Sequence, residues 1–209
     1  MKSLYRIIKT LNFEEVDSPP IYDLPHNDAM IEYYGRGDVF KAIDNSLDMT
    51  RNIRLPQEEK IIEEDGFVIE QKRWTEWIKE RPFKTQKEAK EWVKKEIEKL
   101  RNYDEKKLKR EVEETIKLHL SQQRKLKHTH KILTGISVGL TQAYHLLGTE
   151  FFIYLYADEP FLISALLEAM KALNLKKVNY LKEPVKISPI IFVGEDIAYK
   201  NGPIFSPKF

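Results

Sequence analysis

The sequence predicts an α/β fold, and three observations carry that reading. Apolar, β-branched runs such as Ile132–Val138 and Pro189–Gly194 alternate with stretches whose apolar residues recur at helical spacing. The tetrapeptide Thr85-Gln86-Lys87-Glu88 matches a capping box and opens the clearest of those helices. Polar residues follow the apolar runs directly, as they do where strands of a parallel sheet feed loops at one edge.

Taken in order, Leu4–Leu11 is a short amphipathic piece that reads as helix. Val16–Tyr22 contains Pro19-Pro20-Ile21-Tyr22 and fits a short buried strand after a proline pair. Ala29–Tyr34 reads as helix, broken by Gly35-Arg36-Gly37. Residues 39–49 mix apolar and polar side chains up to Asp48, and Arg51–Leu55 reads as a strand stopped by Pro56. Ile61-Ile62 and Phe67-Val68-Ile69 flank Asp65-Gly66, a hairpin signal. Trp74 and Trp77 are spaced to share a helical face. Ala89, Trp92, Val93, Ile97 and Leu100 form the stripe of one surface helix; Leu108, Val112, Ile116 and Leu120 form that of a second, capped by Asp104. Lys131–Leu140 reads as a buried strand running into a tight glycine loop, with a helix from Thr141 to Leu147. Phe151–Tyr156 fits strand or buried helix equally. Asp158-Glu159-Pro160 opens another helix, and Pro189–Gly194 reads as a fully buried strand. The expectation is one domain over residues 1–209, with a charged helical segment at 85–127 inside it.

Composition narrows the chemistry. The 209 residues include no cysteine, which removes disulfides, thiolate metal sites and thiol nucleophiles and fits a reducing, cytoplasmic setting. No secretory h-region opens the chain, and no run is apolar enough for a membrane span, so no membrane role is expected. The net charge is +2, yet residues 84–131 carry sixteen Lys/Arg against nine Asp/Glu. That surplus suits either a phosphate-binding surface or a solvated helix face. Interleaved acids favour the face, and no nucleic-acid partner is expected. His128 and His130 form an H-x-H pair that chelates only when extended, and no metal site is expected.

In parallel α/β folds ligands bind beyond the carboxyl ends of strands. Three clusters fall at such places: Asp23, His26 and Asn27; Gly139, Thr141, Gln142 and Tyr144; and Glu195 with Asp196. A carboxylate there suits acid–base chemistry or cation binding, and equally a helix cap or loop ion pair.

The segment Ile190–Phe209 resembles proteins of the uroporphyrinogen decarboxylase superfamily, in which a strand ends in an acidic residue followed by a small residue, a glycine and Ser-Pro. The matching positions are Asp196, Ala198, Gly202, Ser206 and Pro207; Gly135–Thr141 and Gly148–Leu173 are also similar. The resemblance implies the N-terminal portion of a (β/α)8 TIM-like barrel with the charged helical pair inserted in or flanking it. It implies lyase or methyltransferase chemistry on a tetrapyrrole, a corrinoid or a small methyl donor. An N-terminal aspartate contacts pyrrole nitrogens in the decarboxylase, and Asp48 is the nearest counterpart, although its flanks differ from the family motif. The arginine-rich substrate loop of the decarboxylases and the cysteine of the methyltransferases are absent. The implied site has Asp196 and Asp48 as catalytic carboxylates and His26, Thr141, Tyr144, Gly194 and Ser206 as ligand-binding residues, with no cofactor named. A complete barrel takes about 250 residues. The expectation is therefore an open barrel completed by a second copy or a complementing chain, with a non-catalytic interaction protein as the alternative.

Overall fold

Short polar side chains cap the starts of four helices. In the computed structural model, which describes residues 2–181 and 184–205, α1 spans Ser3–Leu11 and α2 Asp28–Gly35, where the Asn27 side chain accepts from Met30 N. Helix α3 spans Val39–Ser46 and is capped by Asp38. Strands β1 (Met49–Thr50), β2 (Lys60–Glu64), β3 (Phe67–Gln71) and β4 (Glu76–Glu80) follow. Helix α4 (Gln86–Arg101) opens on the Thr85–Glu88 capping box with both reciprocal hydrogen bonds made, and α5 (Glu105–Gln123) on Asp104. The remainder is β5 (His130–Lys131), β6 (Leu133–Ile136), α6 (Leu140–Leu147), α7 (Thr149–Asp158), α8 (Pro160–Tyr180), α9 (Pro184–Ile187), β7 (Ile191–Val193) and a hairpin of β8 (Ala198–Tyr199) and β9 (Gly202–Pro203). Helix α7 settles the ambiguous run at Phe151–Tyr156 as helix.

Parallel pairing runs through the molecule in short pieces. Tyr22 bridges Met49, β1 pairs with β5, and β6 pairs with β7, all parallel. Ile132 N donates to the Thr50 carbonyl and Leu133 N to the Ile190 carbonyl, which carries the ribbon across from β1 to β7. The sheets nevertheless hold only two or three strands, and no barrel closes among the described residues. This overturns the expected partial (β/α)8 barrel. The parallel strands are two to four residues long, and the β6–β7 register shifts between Leu133 and Ile136. Ladders this short cannot build a continuous wall.

Three smaller expectations change with it. Arg51–Leu55 joins no ladder; beyond Pro56 the chain is held at Gln57, whose N–H donates to the Arg73 carbonyl. The expected hairpin forms but gains β4 as a third antiparallel strand, order β2-β3-β4. Trp77 therefore sits exposed in a strand and Trp74 in the turn before it, not on a helix. Strand β7 is an edge, not a buried strand: Ile191 and Val193 point outward, and Phe192 packs inward beneath the Arg51 guanidinium, 4.1 Å from the ring centre.

The core lies mostly among helices. Ala89, Val93 and Ile97 form one stripe of α4, packed on Leu147, Phe152, Leu155, Ile163 and Leu166 of α6, α7 and α8. Each large side chain buried in this way contributes about 1.5–3 kcal/mol. A second cluster (Ile31, Val39, Ala42, Ile43, Leu47) joins α2 to α3. A third, Val112 with Leu133 and Leu181, sets α5 across the parallel ribbon.

Candidate small-molecule site

Helix α5 turns Thr115, Leu118, His119 and Gln122, spaced three and four apart, toward the strands. Opposite them stand Lys131 of β5, Leu133 and Thr134 of β6, and the loop Asn52-Ile53-Arg54 after β1. These ten residues line a cavity of about 340 Å³. Two glutamines hold its walls together. Gln123 Oε1 accepts from Lys131 N (2.7 Å) while its Nε2 donates to the Thr129 carbonyl (3.1 Å). Gln122 Nε2 donates to the Ile53 carbonyl (3.3 Å), and Thr134 Oγ1 donates to Asn52 Oδ1 (3.1 Å).

Lys131 and His119 give the cavity its character. They are 6% and 1% exposed. The Lys131 Nζ donates to His119 Nδ1 at 3.1 Å, which requires a neutral ring carrying its proton on Nε2. That Nε2 is buried without a well-aligned hydrogen bond, although the nearby Ile187 carbonyl favours the charged ring somewhat. Burial, helped by the charges of Lys131 and His130, pushes His119 down to about 4. Burial alone pulls Lys131 down to about 8, with no carboxylate acting on it among the described residues. Arg54, on the opposite wall, donates from Nη1 to the Trp74 carbonyl (3.2 Å) and pairs with no acid among the described residues. A lysine desolvated in this way gives up its proton more readily than a surface lysine and can serve as nucleophile or base.

Asp48 lies at the amino end of β1, at the end opposite to where a strand-end site would form. It accepts from Ser3 Oγ (2.7 Å), Arg6 Nη1 (2.5 Å) and Ile21 N (3.0 Å). Burial would raise its carboxyl, but the Ile21 amide, the Ser3 hydroxyl and the Arg6 guanidinium outweigh that and hold it below the usual range. Arg6 also grips Asp17, so the cluster fastens α1 to β1.

Thr141, Tyr144, Gly194 and Asp196 do gather, around the amino end of α6, but the central group is Glu195. Its Oε1 accepts from Ser137 Oγ (2.7 Å), Val138 N (2.7 Å) and Gly139 N (2.9 Å), and its Oε2 from Thr141 N (2.5 Å). Gly139, at φ 111, is in a backbone conformation that glycine alone adopts freely. Burial raises the Glu195 carboxyl, and the Thr141 amide, the Ser137 and Thr141 hydroxyls and the Gly139 amide reverse that, to about 2. Asp196 N donates to Thr141 Oγ1 (2.7 Å) and its carbonyl accepts from Tyr144 OH (3.1 Å); its carboxylate is exposed, with no hydrogen bond among the described residues. A Cβ at Gly194 would run into the Phe192 ring, so glycine is needed for packing there. Asp196 and Asp48 thus belong to separate clusters.

His26 stacks on Trp74 (centroids 5.8 Å apart, planes 9° apart), and its Nε2 lies 3.4 Å from the Asn52 carbonyl, which puts it at the cavity rim. Ser206 lies outside the described residues. His130 meets Ser188 Oγ at 3.0 Å while His128 is exposed, so the H-x-H pair does not converge. The residues that sequence reasoning passed over are Lys131, His119, Arg54 and Gln122. Two signals for them were present: Lys131 is the one charge at the head of an apolar run, and His119 stands seven residues beyond Val112 on the α5 stripe.

No protein-family profile matches the chain, and no curated protein or solved structure matches it significantly. Among the described residues no helix is long and apolar enough to cross a membrane.

Proposed function

We propose that the protein binds a small anionic molecule in the cavity beneath α5. The observation that carries this is a buried lysine with no counter-charge among the described residues, lining a cavity that Arg54 also lines. Ligand pockets run from about 300 to 1,000 Å³, so a 340 Å³ cavity suits a small organic acid. The resemblance to uroporphyrinogen decarboxylase-like proteins supplies the reaction class we attach to it, lyase or methyl transfer. Of the ligands it implies, a tetrapyrrole, a corrinoid or a small methyl donor, the volume favours the last. We place the protein in the cytoplasm on its cysteine-free composition. Calorimetric titration with pyruvate, malonate and phosphate tests the site. At least one should bind, and Arg54→Met should weaken it about tenfold, the loss of one charge-assisted contact. No heat from any of the three sinks the reading.

A second reading, an interaction protein, is favoured by the outer edge of β7. Ile191 and Val193 are exposed along a strand paired on one side only among the described residues, and Ile197 is exposed four residues beyond its end. Such edges invite another chain, and we infer a second copy there, with a complementing chain as the alternative. Light scattering should give a mass above that of one chain; a monomer at high concentration that binds no apolar dye removes this reading.

A further inference from the structure

We propose that Lys131 is a Schiff-base nucleophile and that the cavity takes a small 2-oxo acid, a ligand with one reactive carbonyl and one carboxylate. The proposal rests on the anion-binding reading above and deepens it.

A lysine buried for structural reasons normally meets a carboxylate, because an unpaired ammonium out of water is costly. Among the described residues the Lys131 amine meets only the uncharged Nδ1 of His119. That contact leaves the amine desolvated yet able to exist without its extra proton, the condition for attack on a carbonyl. The cavity also separates two tasks. Arg54 on the loop wall supplies a fixed cation for a carboxylate, whereas Lys131 on the strand wall supplies the nucleophile. The Asn52 amide also lines the cavity; its Oδ1 accepts from the Thr134 hydroxyl, and its N–H2 group suits an oxygen that gains charge as the carbonyl is attacked. A neutral aldehyde would leave Arg54 unused, and a simple carboxylate would leave Lys131 unused.

The step balances. The free amine forms a C–N bond to the carbonyl carbon while the C=O π pair moves to oxygen and is protonated. The C–O bond of the resulting carbinolamine then breaks, and the oxygen leaves as water. Of the three protons of the original ammonium, two depart in that water and one remains on the iminium nitrogen. No oxidant or reductant takes part. His119 is a positioning residue: its ring holds the amine at the cavity wall and, pushed below the usual histidine range, stays uncharged beside it.

Reductive trapping tests the proposal on the whole chain. The protein is incubated at neutral pH with pyruvate and cyanoborohydride, then read by intact mass and peptide mapping. The expected result is one reduced pyruvate adduct, on Lys131, lost in Lys131→Arg and suppressed in the wild type by excess malonate, which has the charge without a ketone. Malonate protection keeps the test decisive should the arginine variant fail to fold. His119→Leu should slow trapping about tenfold while pyruvate affinity by calorimetry holds, a split that general destabilisation would not give. Pyruvate that binds without an adduct, or adducts scattered over surface lysines, overturns the Schiff base and leaves the anion site standing. Absence of any binding overturns the reading beneath it instead.

Discussion

The amino end of α6 and the cavity beneath α5 each draw a charged side chain out of water, yet they are opposites. Glu195 collects four donors from Ser137, Val138, Gly139 and Thr141 and fills the site it sits in. The Lys131 amine has one uncharged partner among the described residues and a cavity beside it. A charge whose partners all come from its own chain stabilises the fold; a charge that burial has left unsatisfied beside a cavity is held ready for something else. By the same measure Asp48, with Ser3, Arg6 and Ile21 around it, belongs with Glu195.

Substitution at the two sites should have opposite signs. Lys131→Met removes an uncompensated buried ammonium and should stabilise the chain by up to about 3 kcal/mol near pH 7. The wild-type amine titrates at about 8 folded and 10.5 unfolded, so its cost is present below the folded value and fades as pH rises between the two. Urea unfolding at pH 7 and at pH 10.5 should show the gap closing; destabilisation at pH 7 would mean that Lys131 is structural after all. Glu195→Gln should do the reverse and on a smaller scale, costing about 1–2 kcal/mol at pH 7, as removal of a helix cap does. Its carboxyl is depressed in the fold, so its contribution is present above pH 4.5 and is lost as pH falls toward 2. A difference that persists unchanged down that range would assign the effect to packing, not charge.

Local chemistry made some of this legible. The caps at Thr85 and Asp104 and the Asp65-Gly66 turn are decided within a few residues, and each sits where the sequence puts it. The α/β mixture was legible for the same reason. What failed was length and partnership. A run such as Pro189–Gly194 has the composition of a buried strand, but only the absence, among the described residues, of a neighbour on its far side makes it an edge. Trp74 and Trp77 fit a helix until Gln71 pairs with Glu76 and draws them into a strand turn. Asp48 stands out as an acid at the end of an apolar run, yet its role depends on Arg6, 42 residues away. The cavity draws on residues 52–54, 115–122 and 131–134, and no spacing within one segment announces that they meet.

The ribbon of parallel pairing has a consequence for how the chain is made. Its members follow one another in space in the order they occur in sequence: Tyr22, then β1, then β5 with β6, then β7. Each newly synthesised segment is therefore added to the outside of those already in place. A chain emerging from the ribosome, which folds from its first residues onward, never has to separate strands already joined to admit a newcomer between them. The long wait falls instead on the stretch from residue 51 to residue 129, during which the β2–β4 sheet and the two charged helices emerge before β1 receives its neighbour.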